Sequence, residues 1–134
     1  MYGWVDHTAE LELRIEAASE GAVFEEALAA LGELLSEHSD PDVSGEPVSF
    51  AVWASAPDRA TLLAEWLSEL VYLVETEGFV PRRAQRLDLG EDWLDAEVSG
   101  SRAAPPHLVK AVTYHRLTME QQGGMWRAAV VLDV

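Results

Sequence analysis

The sequence predicts an α+β domain in which two helices pack on a mainly antiparallel, mixed sheet of about six strands. Three observations carry this expectation. A stretch near the start alternates apolar and charged residues with period two. Two longer stretches repeat their apolar residues at helical spacing. Everything after the second of them reads as strands separated by turns.

The first strand is the clearest element. From Leu11 onward, Leu11, Leu13 and Ile15 face one way, and Glu10, Glu12, Arg14 and Glu16 face the other. That is the signature of a half-buried strand. Asp6, His7 and Thr8 crowd a carboxylate, an imidazole and a hydroxyl into the loop leading to it. Ser19-Glu20-Gly21 breaks the pattern, and a helix follows from about Ala22 to Glu37. Phe24, Ala27, Leu28, Leu31, Leu34 and Leu35 form its apolar stripe. Glu25 and Glu26 lie in its first turn, where the helix dipole favours negative charge. His38 to Pro47 is a polar loop by composition.

Val48 to Ala54 is the second strand, with Val48, Phe50 and Val52 on one face. Asp58 is placed to cap a second helix that runs to Glu77, and Gly78 to end it. Leu62, Leu63, Trp66, Leu67, Leu70, Val71 and Val74 make its broad apolar face. Arg83–Leu89 and Trp93–Ser99 read as a hairpin around Gly90-Glu91-Asp92. Ser101 to His107 is a loop containing Pro105-Pro106. Val109 to Met119 is a strand with a bulge near His115. Gln121-Gln122-Gly123-Gly124 turns into the last strand, Met125 to Val134, where Trp126, Ala128, Val130, Leu132 and Val134 alternate. If the first and last strands pair, Glu10 meets Asp133.

Composition narrows the function. At 134 residues, the length fits one domain, and 49% hydrophobic residues suffice for a core. The chain has no cysteine, which removes disulfides, thiolate metal sites and thiol nucleophiles together. The first residues lack the basic and apolar regions of a signal peptide, and no apolar run approaches the roughly 18 residues of a membrane span. A cytoplasmic protein is expected. With 24 acidic residues against nine basic ones, the net charge is −15. Such a chain repels a phosphate backbone. No direct RNA binding is expected, with Arg82, Arg83 and Arg86 the one exception in sight. The same acidity suits divalent cations or a basic protein partner.

No Gly-rich phosphate loop, nucleophile elbow or zinc spacing is present. The four histidines, His7, His38, His107 and His115, never fall three or four residues apart. The chemistry alone does not point to an enzyme. Trp4, Trp53, Trp66, Trp93 and Trp126 are expected mostly in packing.

Three segments, however, resemble a known family: Asp6-His7-Thr8-Ala9-Glu10; Glu65-Trp66-Leu67-Ser68-Glu69-Leu70-Val71-Tyr72-Leu73 with Glu75-Thr76-Glu77-Gly78; and Val109-Lys110-Ala111-Val112-Thr113-Tyr114-His115. With the closing Val131-Leu132-Asp133-Val134, they resemble the archease family in order and spacing over nearly the whole chain. The resemblance implies a small acidic protein that is not itself an enzyme. Archeases activate the RtcB-type, GTP- and manganese-dependent tRNA-splicing RNA ligase, promoting its guanylylation and turnover. The resemblance also implies a divalent metal held by Glu10, Asp133 and the main chain of Val134. Calcium or magnesium, or else manganese, suits such oxygen donors. The sequence departs from the family at Glu10, where an aspartate is usual. Asp6, His7, Lys110 and His115 stand as contacts to the partner or its nucleotide, and Lys110 is the only lysine. Two rival readings are a small metal-dependent hydrolase built on Glu10, Asp133, His7 and His115, and an acidic chaperone-like scaffold.

Overall fold

A computed structural model describes residues 1–37, 45–103 and 108–134. Its elements are β1 (Tyr2–His7), β2 (Glu10–Ala17), α1 (Glu20–Glu37), β3 (Glu46–Ser55), α2 (Arg59–Glu77), β4 (Phe79–Leu89), β5 (Trp93–Arg102), β6 (Ala111–Gln122) and β7 (Met125–Asp133). The two helices and the antiparallel strands match the expected class. The strands number seven among the described residues, and they form two sheets rather than one. The first sheet has the order β1-β2-β7-β6 and the second the order β3-β5-β4. Every pairing is antiparallel, so the sheets are not mixed.

The added strand is β1. Tyr2 and Trp4 alternate toward the core, opposite Ile15 and Leu13. Asp6 and His7 therefore belong to a strand, and only Thr8-Ala9 forms the turn. Ala9 takes the left-handed φ of 59° that this tight turn requires. Strand β4 begins at Phe79 rather than Arg83, and β5 extends to Arg102, into the expected loop. Residues 38–44 and the Pro105-Pro106 segment lie outside the described residues.

Each helix bridges both sheets. Helix α1 packs against β2 and β4, and α2 against β6 and β3. Their apolar stripes meet Leu13, Ile15, Val130 and Leu132 of one sheet and Val52, Leu94, Ala96 and Val98 of the other, all buried. Trp66 of α2 is fully enclosed, and its indole Nε1 donates to the Phe24 carbonyl of α1 at 3.0 Å. Gly32 lets α1 lie directly on β4: a Cβ there would stand 2.0 Å from the Pro81 carbonyl oxygen. Helix α2 has the predicted ends. Asp58 accepts from the Thr61 N–H at 2.8 Å, and Gly78 closes the helix at φ 61°. No helix of the described residues is long and apolar enough to cross a membrane.

Candidate functional site

The first and last strands pair side by side in the middle of the first sheet. The cause is their shared alternation: Leu11, Leu13 and Ile15 stand opposite Leu132, Val130 and Ala128 on the helix-covered face. Once that register is set, the other face follows. Glu10 stands directly opposite Asp133. On its other side Glu10 faces His7, and Asp133 faces Ala111. His7, Glu10, Asp133 and Ala111 thus form one row across four strands.

Like charges directly opposite each other destabilise a sheet. A cation beside them offsets that cost, and Arg116 already supplies one on the Glu10 side. Its Nη2 lies 2.9 Å from Glu10 Oε2. Sequence reasoning missed this residue. Arg116 sits in the bulge of β6, where the strand takes six residues, Thr113 to Thr118, to pass the three of β7 from Val131 to Ala129. The sequence did carry the signal of a bulge near His115, and the extra chain is what returns Arg116 to the sheet face. Arg116 has a left-handed φ of 58°, rare for a residue with a side chain. Tyr114, in the same bulge, donates its hydroxyl to Glu65 of α2, and the carboxylate pushes the phenol pKa upward.

The next row holds a second residue that the alternation concealed. Glu12 shares the polar face with Glu10 yet is only 6% exposed, between Val5 and Val131. Val131, opposite Glu12, is fully buried. Arg14 Nε donates to Glu12 Oε2 at 2.6 Å, and His7 Nε2 lies 3.8 Å from Oε1. The Arg14 hydrogen bond holds the Glu12 carboxyl below its usual range against the opposing effect of burial, with Arg116 and His7 adding charge. A group with a depressed folded pKa stabilises the fold above its unfolded pKa. That stability is lost as pH falls through the folded value. Glu12→Gln is expected to cost about 1.5–3 kcal/mol at neutral pH, the worth of a hydrogen bond to a charged group. The gap to wild type should close as pH falls below about 5. Urea unfolding midpoints of both proteins across pH 3–7 check this.

The other candidates separate. Asp6 stands opposite Leu11, on the face away from His7 and Glu10. Lys110 flanks the row through its main chain, its N–H donating to the Asp133 carbonyl at 2.8 Å. The Val134 N–H donates to the Ala9 carbonyl at 3.2 Å, which fixes this chain segment beside the β1–β2 turn. His115 lies in the β6 bulge, its N–H on Thr113 Oγ1 at 3.2 Å. Among the described residues no three His, Asp or Glu side chains gather as a metal-binding group. The donors on hand are two carboxylates with neighbouring main-chain oxygens. All are hard oxygens, and the set fits calcium or magnesium better than a softer ion.

The second sheet offers a different surface. Arg86 lies between Asp88 and Asp95, with Nη atoms at 2.5 and 3.3 Å, so part of the arginine cluster is neutralised by its own strands. Trp53 is 58% exposed and stacks on Trp93 with ring centroids 5.7 Å apart, packing on the sheet face rather than in the core.

The sequence matches the Archease protein family (MTH1598/TM1083) over residues 2–134. It is similar to the protein archease of Methanosarcina mazei, with 34% identity over 142 residues covering 99% of this chain and 95% of that one. The archease of Methanosarcina acetivorans is 32% identical over the same shares. The solution structure of protein 1598 of Methanobacterium thermoautotrophicum has a TM-score of 0.71 to this chain at 25% identity, covering 99% and 98% of the two. The crystal structure of an archease from Thermotoga maritima, described as a possible chaperone, shares the fold, with a TM-score of 0.66 at 20% identity, covering 100% and 98%.

Proposed function

The chain belongs to the archease family, and on that premise we propose that it activates an RtcB-type, GTP-dependent tRNA-splicing RNA ligase without joining RNA itself. In this reading it promotes guanylylation of the ligase and its turnover. Glu10 and Asp133, with the main-chain oxygen of Val134, hold one hard divalent cation. When bound, that cation supplies positive charge for phosphate oxygens at an otherwise acidic surface. The observation that carries the reading is the register of Glu10 against Asp133. Around them, the β1–β2 turn positions His7 on one side, and the Lys110 main chain braces Asp133 on the other.

Substoichiometric amounts of the purified protein should raise guanylylation and ligation by the cognate ligase under multiple-turnover conditions. The protein alone should neither hydrolyse nucleotide nor join RNA. Equal ligase turnover with and without it sinks the proposal, and hydrolysis that depends on Glu10 would favour the hydrolase instead. The description of the Thermotoga relative favours a second reading, an acidic chaperone-like partner. That reading expects protection of an unrelated protein from thermal aggregation, with no effect on ligase turnover.

A further inference from the structure

We propose that Arg116 is a latch on the paired carboxylates: it holds Glu10 when no cation is bound and passes to Glu12 when one is, so that cation binding rearranges the β6 bulge. The proposal rests on the reading that Glu10 and Asp133 take a divalent cation.

The geometry supplies each part. The Arg116–Glu10 pair is partly open to solvent, with side-chain exposures of 44% and 30%, so it can exchange partners. Exposed pairs of this kind are weak, worth at most about 1 kcal/mol, and a competing divalent ion can displace them. Arg116 is carried on surplus chain with a left-handed backbone, a local arrangement held by its surroundings rather than preferred by the residue itself. Glu12 lies two residues along the same strand face, about 7 Å away by strand geometry. Its Oε2 is taken by Arg14, while its Oε1 has His7 at 3.8 Å. Arg116 already adds its charge to Glu12, which is therefore an anionic group within its reach once Glu10 is engaged elsewhere. The Tyr114–Glu65 bond ties the same bulge to α2, so a shift at Arg116 is felt on the acidic helix face.

Calcium titration calorimetry and amide NMR spectra of the whole chain test this. Arg116→Gln removes the competing cation, and calcium should bind about fivefold tighter than to wild type. Arg116→Lys keeps the charge and should stay within twofold of wild type. In wild type, saturating calcium should move the amide signals of residues 113–118 and of Glu12. In Arg116→Gln the Glu12 shift should be lost. Unchanged affinity in Arg116→Gln overturns the latch while leaving the cation site standing. Tightening shared by Arg116→Lys also overturns it, because a loosened bulge rather than a lost charge is then the cause. Binding by neither wild type nor Arg116→Gln overturns the cation site and the latch together.

Discussion

Asp133→Asn is expected to abolish both the stabilisation by calcium or magnesium and the activation of the ligase. The substitution keeps shape and removes one of two facing charges. A cation that binds only the folded chain stabilises it by about 2.7 kcal/mol at a hundredfold excess over Kd, which is several degrees of Tm. With Asp133 neutral, one carboxylate remains, and the Tm should become independent of added cation. The metal-free Tm should hold or rise, because relief of like-charge repulsion across strands is favourable. Thermal melts with and without calcium, run beside a guanylylation assay, read both effects. Glu10→Asp is the companion: it keeps the carboxylate on a side chain one methylene shorter and should keep or strengthen the calcium response. An Asp133→Asn protein that retains a full calcium shift would refute the role given to this residue.

The largest effect on stability is expected at Trp66. Trp66→Ala removes a fully enclosed indole and its bond to the Phe24 carbonyl. A large-to-small change of this kind costs about 3–5 kcal/mol. Domains of this size are stable by only about 5–15 kcal/mol, so the variant should be close to unfolding at moderate temperature. Trp66→Phe keeps a ring in place and loses the hydrogen bond, and its cost should be clearly smaller. Urea unfolding of the three proteins orders them, and a Trp66→Ala midpoint within error of wild type would contradict the packing described for α1 and α2.

Much of this architecture was legible in the sequence because it depends on local periodicity. The alternation at Leu11–Ile15 and Trp126–Leu132 marked both partner strands and put Glu10 and Asp133 on one polar face, so that they would meet if the strands paired, as they do. Asp58 and Gly78 marked the ends of α2 because capping is local chemistry. What periodicity does not encode is pairing order. Nothing in a strand's own residues says that β3, β4 and β5 leave the first sheet to form a second. Strand β1 was hidden by its shortness and by Gly3 and the polar Asp6-His7 pair, which read as a loop. Glu12 was hidden for a different reason: the alternation assigned it to the polar face correctly, but its cover comes from elsewhere in the fold. Arg116 escaped notice because a bulge breaks the phase by which facing residues are read. The site's two carboxylates were thus visible, while the cation that pairs with one of them was not.

The placement of β2 beside β7 also bears on how the molecule comes into being. The second sheet is drawn from one continuous run, Glu46 to Arg102. The first sheet joins strands from opposite ends of the sequence at its centre. Closing so long a loop costs entropy before any contact repays it, and non-local topologies of this kind fold slowly. On the ribosome the middle of the chain has its pairing partners at hand early, whereas β2 must wait for β7. Its apolar face, Leu13 and Ile15 included, stays uncovered on that side until the last strand emerges. Glu10 and Asp133 meet only once β7 pairs with β2, so the paired carboxylates depend on a contact between residues more than a hundred positions apart.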